Sequence, residues 1–195
     1  MLFLGGYYGV PALLVRWGVP GVDLSTSLDR AIPYRPVFAY AYALCYGQIF
    51  LPPLVAPDPV LFRHAVRAVA IVLIASFACF VVLPARMAYP PIGDAAGEWI
   101  LRKNALFSDH GFNAFPSLHV ALATFSATSI HHARPAWRLP VWSSTIGIAL
   151  STVMVKRHFV VDVPAGALLG WIVHRAYLTE HVLAWRAARL RDASS

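Results

Sequence analysis

A histidine and an aspartate stand four positions apart in the sequence Lys-Arg-His-Phe-Val-Val-Asp of residues 156–162. On a helix, side chains four positions apart lie on one face, with Cβ atoms about 5–6 Å apart. We therefore predict that Asp162 accepts a hydrogen bond from one ring nitrogen of His158 and holds the ring. The other ring nitrogen is then available as a nucleophile, and the pattern indicates phosphoryl chemistry at a membrane surface.

A second histidine, His119, follows Pro116 and Ser117 at the start of another apolar run. A lone histidine at a helix start is more often an interfacial residue than a catalytic one. Here it accompanies His158, and two histidines supply both functions that cleavage of a phosphate ester needs. We predict that His158 attacks phosphorus and that His119 protonates the departing oxygen and later activates water.

Cationic and polar residues near these histidines are candidates to bind the phosphate oxygens. Lys156 and Arg157 precede His158, and Arg86 follows the third apolar run. Arginine suits bidentate contacts to phosphate. Ser117 offers a hydroxyl and a main-chain N–H at a helix start, where the helix dipole attracts anions. We predict that these residues bind the substrate phosphate.

Two other interpretations of the same residues remain open. His158 and Asp162 can form a purely architectural pair, since a carboxylate inside an apolar segment costs about 2.5–3.5 kcal/mol unless it has a partner. A zinc site of His119, His158 and Asp162 is chemically conceivable, but the neighbouring cations would repel a metal ion. We predict neither a metal ion nor any other cofactor.

The composition indicates an integral membrane protein. Of the 195 residues, 58% are hydrophobic and only 13% are charged, a balance that a soluble globule of this size would struggle to cover with polar surface. A helix needs about 17–25 apolar residues to cross a bilayer. Six runs with few charges approach this length: residues 1–15, 36–57, 68–85, 114–130, 139–155 and 159–173. The first run holds Pro11 and can instead lie in the interface.

We predict an all-α fold: one membrane domain of about six transmembrane helices, with a catalytic core over residues 84–175 and a basic tail over residues 179–195. Residues 86–115 carry apolar side chains at roughly helical spacing, which predicts a short interfacial helix before the fourth crossing. An ordinary loop helix explains that pattern equally well. The fourth and sixth crossings run in the same direction, so His119 and His158 lie on one side of the membrane.

The formal net charge of +7 does not indicate a nucleic-acid partner. The sixteen Lys and Arg residues are scattered through short loops and form no basic stripe or RNA-binding signature. Arg186, Arg189 and Arg191 suit a cytoplasmic tail near anionic lipid. When the proposed phosphate ligands are excluded, fewer cations lie on the site side, which favours an external site under the positive-inside rule. The partners that we predict are membrane lipids and a lipid phosphate substrate.

The chain resembles the type 2 phosphatidic acid phosphatase superfamily in two motifs. The Pro-Ser-x-His motif matches residues 116–119, and residues 151–162 hold the serine, histidine and aspartate of the Ser-Arg-x5-His-x3-Asp motif. The arginine of that motif is Thr152 here. The Lys-x6-Arg-Pro motif is absent, and Arg86 stands near its expected place. The cations directly before His158 must then supply the missing positive charge.

Three further segments are more specifically similar to inositol phosphotransferases of the inositolphosphorylceramide synthase type and to related bacterial membrane phosphatases. They are residues 29–34 (Asp-Arg-Ala-Ile-Pro-Tyr), 115–120 and 158–166. The resemblance covers most of residues 24–175 and implies metal-independent phosphate-ester or phosphodiester chemistry on a lipid. It also implies a multi-pass protein of the bacterial inner membrane with its site facing the periplasm or the exterior.

Three functions are compatible with this sequence. The leading one is a phosphatase that hydrolyses a phosphate ester or pyrophosphate of a lipid through a phosphohistidine. A phosphotransferase that moves a phospho-headgroup of the inositol phosphate type between lipids shares the first half-reaction and differs only in its acceptor. The third is a catalytically silent lipid-binding membrane protein, against which the joint presence of His119, His158 and Asp162 argues.

Overall fold

A computed structural model describes residues 2–54, 56, 58–105 and 111–183 of the chain. These residues form helices and turns, and the extended pairing among them is one isolated parallel bridge between Val22 and Ala85. The all-α prediction is therefore confirmed. The predicted tail lies outside the described residues from position 184 onward.

The helices are α1 (Leu2–Arg16), α2 (Ser27–Ala31), α3 (Ala39–Gln48), α4 (Leu51–Leu54), α5 (Pro59–Val82), α6 (Glu98–Ala105), α7 (Leu118–Ala133), α8 (Arg138–Met154) and α9 (Asp162–Val173), with 3₁₀ turns at Pro36–Phe38 and Pro135–Trp137 and a π-helical turn at His174–Leu178.

Helix α7 runs through the centre of the bundle. Every side chain from position 118 to position 130 is buried, and α3, α5, α8 and α9 all pack against this helix. Apolar side chains of α5, α7 and α9 share one buried cluster that includes Phe80, Leu118 and Phe125. A helix that packs on all sides belongs in the interior of a bundle. Helix α7 thereby holds His119 away from the surface.

The outer faces of the helices are apolar. Leu44 of α3, Ile74 of α5, Ile146 of α8 and Leu168 of α9 are each more than half exposed. Large apolar side chains exposed on four helices are what surrounding lipid would cover. Judged by length and composition, one helix within the described ranges, α5, is long and apolar enough to cross a membrane. The six crossings stay a prediction.

The apolar run of residues 36–57 does not form the single crossing helix that its length predicts. The structure divides it into the 3₁₀ turn Pro36–Phe38, α3 and α4. Pro52 and Pro53 have no N–H group to donate within a continuous helix, so the chain leaves α3 before reaching them. The second predicted crossing is therefore interrupted in this structure.

Helix α5 begins at Pro59, well before the predicted position 68. Asp58 explains the earlier start, because its Oδ1 accepts hydrogen bonds from the N–H groups of Val60 and Leu61 at 2.8 and 3.0 Å. A side chain that satisfies the first N–H groups of a helix stabilises its start, and proline suits the first helical position. The cations in the first turns of α5 are tolerated because they lie at the helix end.

The connection before α7 contains the short helix that its pattern predicts. Helix α6 buries Ile100 and Leu101 and exposes Trp99, Arg102 and Lys103. This one-sided burial explains its amphipathic sequence. The helix itself is confirmed, and its placement in the membrane interface stays a prediction.

The backbones of α7 and α9 approach each other closely. A Cβ atom at Gly166 would overlap the carbonyl oxygen of Ser117, and one at Gly170 would overlap the carbonyl oxygen of Ala121. Small residues at such positions allow helices to pack closely in membrane proteins. The contact begins near the N-terminal ends of the two helices, close to His119 and Asp162.

We expect Gly166→Ala to destabilise the protein, because the added methyl group must push α9 away from α7. Overpacking of this kind costs about 1–3 kcal/mol. Gly147→Ala in α8 is the matched control, since a Cβ at Gly147 meets no atom within 4 Å and alanine favours a helix over glycine by about 1 kcal/mol. Thermal unfolding in detergent should show a lower midpoint for Gly166→Ala alone. Equal midpoints for the two variants would contradict the close backbone contact.

Candidate active site

The first residues of α7 and α9 lie side by side. The backbone N–H of Ser117 donates to the backbone carbonyl of Asp162 at 3.1 Å. The Ser117 hydroxyl caps α7 by accepting a hydrogen bond from the N–H of Val120 at 3.4 Å. The starts of both helices therefore lie on one side of the bundle. The main-chain N–H of Ser117, which the sequence suggested for phosphate, is engaged with Asp162.

His158 does not lie on a helix, and the prediction that it shares a helical face with Asp162 is wrong. Helix α8 ends in a Schellman motif, in which the N–H of Arg157 donates to the carbonyl of Thr152 at 3.0 Å and the N–H of Lys156 donates to the carbonyl three residues before it at 3.1 Å. Lys156 has a φ of 53°, the left-handed conformation that ends the helix. His158 follows in the connection, and α9 begins only at Asp162.

The ring of His158 is held through Nδ1. This atom lies 2.8 Å from the backbone carbonyl oxygen of Ala114 and 3.4 Å from Oδ2 of Asp162. A carbonyl oxygen can only accept, so Nδ1 carries the proton and donates it to Ala114. Asp162 faces the same ring nitrogen, as predicted, but the nearer partner is a backbone group that no sequence pattern reveals. Nε2 is then the unprotonated nitrogen of the neutral ring.

The Nε2 atom of His158 faces His119. It lies 3.2 Å from Nδ1 of His119, and both side chains are buried. Because Nε2 has a lone pair and no proton, Nδ1 of His119 is the donor in this contact. The structure thus brings the two histidines into direct contact, and a neutral His158 ring sets the direction of the hydrogen bond between them.

Asp162 is a fully buried carboxylate at the first turn of α9. Its Oδ2 accepts a hydrogen bond from the N–H of Phe159 at 2.7 Å and also faces Nδ1 of His158. Its Oδ1 has no hydrogen-bond partner among the described residues. Because burying a carboxylate is unfavourable without partners, these contacts tie Asp162 to both the ring and the backbone of the connection that carries it.

Arg157 is the predicted cation that lies beside the histidines. Its side chain is buried, at 6% exposure, and lines the same pocket as His158. The guanidinium carbon lies 3.9 Å from the centroid of the Tyr89 ring, a distance at which a cation is attracted to the ring face. The stacking holds the planar guanidinium in place next to the pocket.

Lys156 and Arg86 lie in other surroundings. Lys156 donates from Nζ to the backbone carbonyl of Asp29 at 2.5 Å. Arg86 is exposed, with its guanidinium carbon 5.3 Å from the centroid of the Phe112 ring. Neither is among the described residues that line the pocket of His158. Their contact with a substrate phosphate stays a prediction.

Thr152 occupies the position of the arginine in the Ser-Arg-x5-His-x3-Asp motif, and its hydrogen bonds stabilise the end of α8. Its hydroxyl donates to the carbonyl of Ala149 at 2.8 Å. Its own carbonyl accepts hydrogen bonds from the N–H groups of Arg157 and His158 at 3.0 and 3.2 Å. Positive charge at the site comes from Arg157 instead, five positions along the chain.

Tyrosines form much of the pocket, and their place in the site was not predicted from the sequence. The ring of Tyr42 lies 4.4 Å from that of His119 between centroids, and the rings of Tyr7 and Tyr46 lie at 6.1 and 6.2 Å. Tyr42 and Tyr46 are four positions apart in an apolar run, which was the signal available for one shared face. The residues that line the pocket are Tyr7, Tyr8, Tyr42, Tyr46, Tyr89, Asn113, Arg157 and His158.

Asp29, in α2, contacts the connection between α8 and α9. Its Oδ1 accepts a hydrogen bond from the N–H of Val160 at 2.7 Å. Burial alone would raise the pKa of Asp29, but hydrogen bonds from Thr26 and Val160 and the nearby charge of Lys156 outweigh it and lower the pKa below its ordinary value. Asp29 is therefore ionised wherever the protein is folded near neutral pH.

Tyr34 joins the same segment to α6. Its hydroxyl donates to Oε1 of Glu98 at 3.1 Å, and the N–H of the following Arg35 donates to the carbonyl of Met154 at 2.9 Å. Burial, together with the hydrogen bond and the charge of Glu98, raises the pKa of Tyr34 to about 12. The hydroxyl thus stays a donor, and the segment is fastened to both α6 and the end of α8.

A zinc site would need His119, His158 and Asp162 around one centre. Within the described ranges, no group of three or more histidine, cysteine, aspartate or glutamate side chains is arranged to hold a metal ion. The hydrogen bonds given above for these three residues are with one another and with backbone groups.

Comparison with known proteins shows that most of the chain matches one protein family. Residues 22–176 match the family described as the PAP2 superfamily. This segment holds both histidines and Asp162, while Tyr7 and Tyr8 of α1 precede it. No curated protein and no solved structure matches the chain. Because the family match covers far more than half of the chain, the protein belongs to the PAP2 superfamily, whose members are phosphatases.

Proposed function

We propose that this protein is a membrane-embedded phosphatase that hydrolyses the phosphate ester or pyrophosphate of a lipid through a phosphohistidine at His158. The observation that carries the proposal is the state of the His158 ring. Its Nδ1 is engaged with Ala114 at 2.8 Å, which leaves the Nε2 lone pair facing His119 at 3.2 Å. A held imidazole with an unprotonated nitrogen beside a second imidazole has the parts of an activated nucleophile and its proton donor.

In the first half-reaction, Nε2 of His158 forms a bond to phosphorus while the bond from phosphorus to the lipid oxygen breaks. The electron pair of the broken bond stays on that oxygen, which takes a proton from the imidazolium form of His119. His158 gains positive charge as the bond forms. The Ala114 carbonyl and the Asp162 carboxylate, both close to Nδ1, stabilise that charge.

In the second half-reaction, the now neutral His119 accepts a proton from a water molecule as its oxygen attacks phosphorus. The bond from phosphorus to nitrogen breaks, and its electron pair returns to Nε2 of His158. Inorganic phosphate leaves, and His119 is again an imidazolium. The two half-reactions balance without an oxidant, a reductant or a metal ion, and Arg157 is the residue best located to bind the equatorial oxygens.

Substrate binding must part the two rings. A phosphoryl group is much wider than the 3.2 Å that separates Nε2 of His158 from Nδ1 of His119. His158 is held by the backbone at Nδ1, whereas the described contacts of the His119 ring are with His158 and the tyrosines. We therefore propose that His119 is the ring that turns when substrate enters.

The surface supports a membrane setting for this chemistry. Apolar side chains face outward on several helices, while the polar groups of the site face inward. We propose that the bundle crosses the membrane about six times, that the site opens toward the periplasm or the exterior, and that its substrate is drawn from the surrounding lipid. Helix α5 supports the first of these statements by its length and hydropathy.

We expect His158→Ala to abolish release of phosphate, because no other group replaces Nε2. The test is turnover of phosphatidate and of a prenyl pyrophosphate by purified protein in detergent, with a chelator present. Vanadate, which imitates the five-coordinate phosphorus, should inhibit the wild-type protein. His64→Ala is the control, since His64 lies in the first turns of α5 and contacts Tyr177 at 3.2 Å.

Equal turnover by the wild-type protein and His158→Ala would overturn the proposal. Loss of wild-type activity on adding the chelator would point to a metal-dependent reaction instead. A protein that binds lipid without turning it over would support the silent lipid-binding function.

We expect the effect of His119→Gln to depend on the leaving group. A lipid alkoxide needs a proton to depart, and loss of general acid catalysis costs about 10²–10⁴-fold. The p-nitrophenolate ion leaves without a proton, so formation of the phosphohistidine from p-nitrophenyl phosphate should be nearly unaffected. Rapid-quench measurement of the labelled enzyme with both substrates checks this. Equal losses with both substrates would contradict the assigned role of His119.

A phosphotransferase is the second candidate, and the tyrosine rings around His119 favour it. Tyr7, Tyr42 and Tyr46 all have ring centroids within 6.2 Å of the His119 ring. His119 is the group that would activate water, and aromatic rings around it limit the approach of water. Such a site favours a hydroxyl group of a lipid or a polyol as the acceptor.

We expect an alcohol acceptor to compete with water for the phosphohistidine. The measurement is the ratio of phosphorylated alcohol to inorganic phosphate when phosphatidate is turned over with glycerol or myo-inositol present. Tyr42→Ala should shift this ratio toward inorganic phosphate, because it removes the ring nearest His119. A product mixture with phosphate alone at every acceptor concentration would leave the phosphatase and exclude the transferase.

A further inference from the structure

Asp29 makes contacts that a helix cap alone does not explain. One carboxylate oxygen, Oδ2, accepts hydrogen bonds from the N–H and the hydroxyl of Thr26 at 2.8 and 2.6 Å, and so completes a capping box at the start of α2. The other oxygen, Oδ1, accepts from the N–H of Val160 at 2.7 Å. The residue is only 4% exposed. A cap on a short surface helix needs neither this burial nor a partner so far along the chain.

Six backbone hydrogen bonds hold the connection between α8 and α9, one from each N–H group of residues 155–160. Four of them end on carbonyl oxygens of α8, and that of Phe159 ends on Asp162. The sixth, from Val160, ends on Asp29. Buried N–H groups need partners, and among the acceptors of these six hydrogen bonds Asp29 is the one that comes from a distant part of the chain.

Lys156 makes a second link to the same residue. Its Nζ donates to the backbone carbonyl of Asp29 at 2.5 Å. The two links, through Lys156 and Val160, lie on either side of Arg157 and His158 in the sequence. The stretch that carries the nucleophile and its neighbouring guanidinium is thus attached to α2 at both ends.

We propose that Asp29 is a positioning residue for the reaction: its carboxylate binds the N–H of Val160, its backbone carbonyl accepts from Lys156, and the carboxylate contact fixes the loop that presents His158 and Arg157 to the substrate phosphate. The proposal rests on the proposed function of His158. Asp29 acts through the loop and does not touch the reacting atoms. Asp29 is the first residue of the segment 29–34, which lies outside the two catalytic motifs.

The link between Asp29 and Val160 persists at neutral pH. A carboxylate whose pKa is lowered on folding contributes stability above its unfolded pKa, about 3.9, and loses it only as the pH falls through the lower folded value. The lowered pKa of Asp29 therefore keeps its acceptor oxygens ionised near neutral pH. Any change of rate between about pH 5 and pH 8 then reports on other groups.

We expect Asp29→Ala to slow formation of the phosphohistidine about 10–100-fold, since a misplacement of about 1 Å can cost about 10²-fold in rate. The measurement is single-turnover labelling of the enzyme with ³²P-phosphatidate in detergent, which gives the rate and the fraction of enzyme labelled separately. A positioning residue lowers the rate and leaves the fraction near that of the wild-type protein. A residue needed only for folding lowers the fraction and leaves the rate unchanged.

Asp23→Asn is the matched control, because Asp23 is an exposed carboxylate nearby whose contacts, to Ser25 at 2.8 and 3.0 Å, are local. It should label at the wild-type rate. If Asp29→Ala gives no folded protein, Asp29→Asn is measured in the same way. An amide keeps the shape but cannot accept from both Thr26 and Val160, so its labelling rate should also fall below that of the wild-type protein.

A wild-type labelling rate in a folded Asp29 variant would overturn the positioning role and leave the proposed function intact. Absence of labelling and of turnover in the wild-type protein would overturn the proposed function, and the role of Asp29 with it. The two failures are thus distinguished by the wild-type sample alone.

Discussion

The contact between the starts of α7 and α9 is the constraint on which the site depends. Gly166 and Gly170 let the two backbones approach, and the N–H of Ser117 then reaches the carbonyl of Asp162 at 3.1 Å. His119 follows Ser117 by two positions, and His158 precedes Asp162 by four. A larger side chain at either glycine would separate the helices, and with them the two imidazoles that act on one phosphorus atom in the proposed mechanism.

Polar groups inside this apolar bundle are tolerated because they satisfy one another. Nδ1 of His158 donates to Ala114, and Oδ2 of Asp162 accepts from Phe159. Removing one partner from such a buried set leaves the other unsatisfied, at a cost of about 1–3 kcal/mol. The same contacts that make the site stable also fix which nitrogen of His158 carries the proton. The stability of the site and its proposed reactivity therefore depend on the same hydrogen bonds.

The cation at this site stands at a different sequence position from the arginine of the Ser-Arg-x5-His-x3-Asp motif. Thr152 occupies the place of the arginine, and its carbonyl instead helps to end α8. The turn that follows sends Arg157 toward the pocket, where Tyr89 stacks against it, and sends Lys156 toward Asp29. Lys156 and Arg157 are adjacent cations in this loop, and the left-handed conformation at Lys156 decides which of them faces the histidines.

The amino-acid sequence by itself determined the helical character of the chain and the identity of its histidines and their acid. Apolar runs and caps such as Ser117 act over a few residues, so local pattern was sufficient to place α7 and to predict that α9 starts on the same side. The Ala114 carbonyl, the tyrosines around His119 and the link from Asp29 to Val160 were decided only by the tertiary structure. Each of these contacts joins residues far apart in the chain or involves a backbone atom that every residue has. Their formation depends on how the helices pack, and no local spacing encodes that.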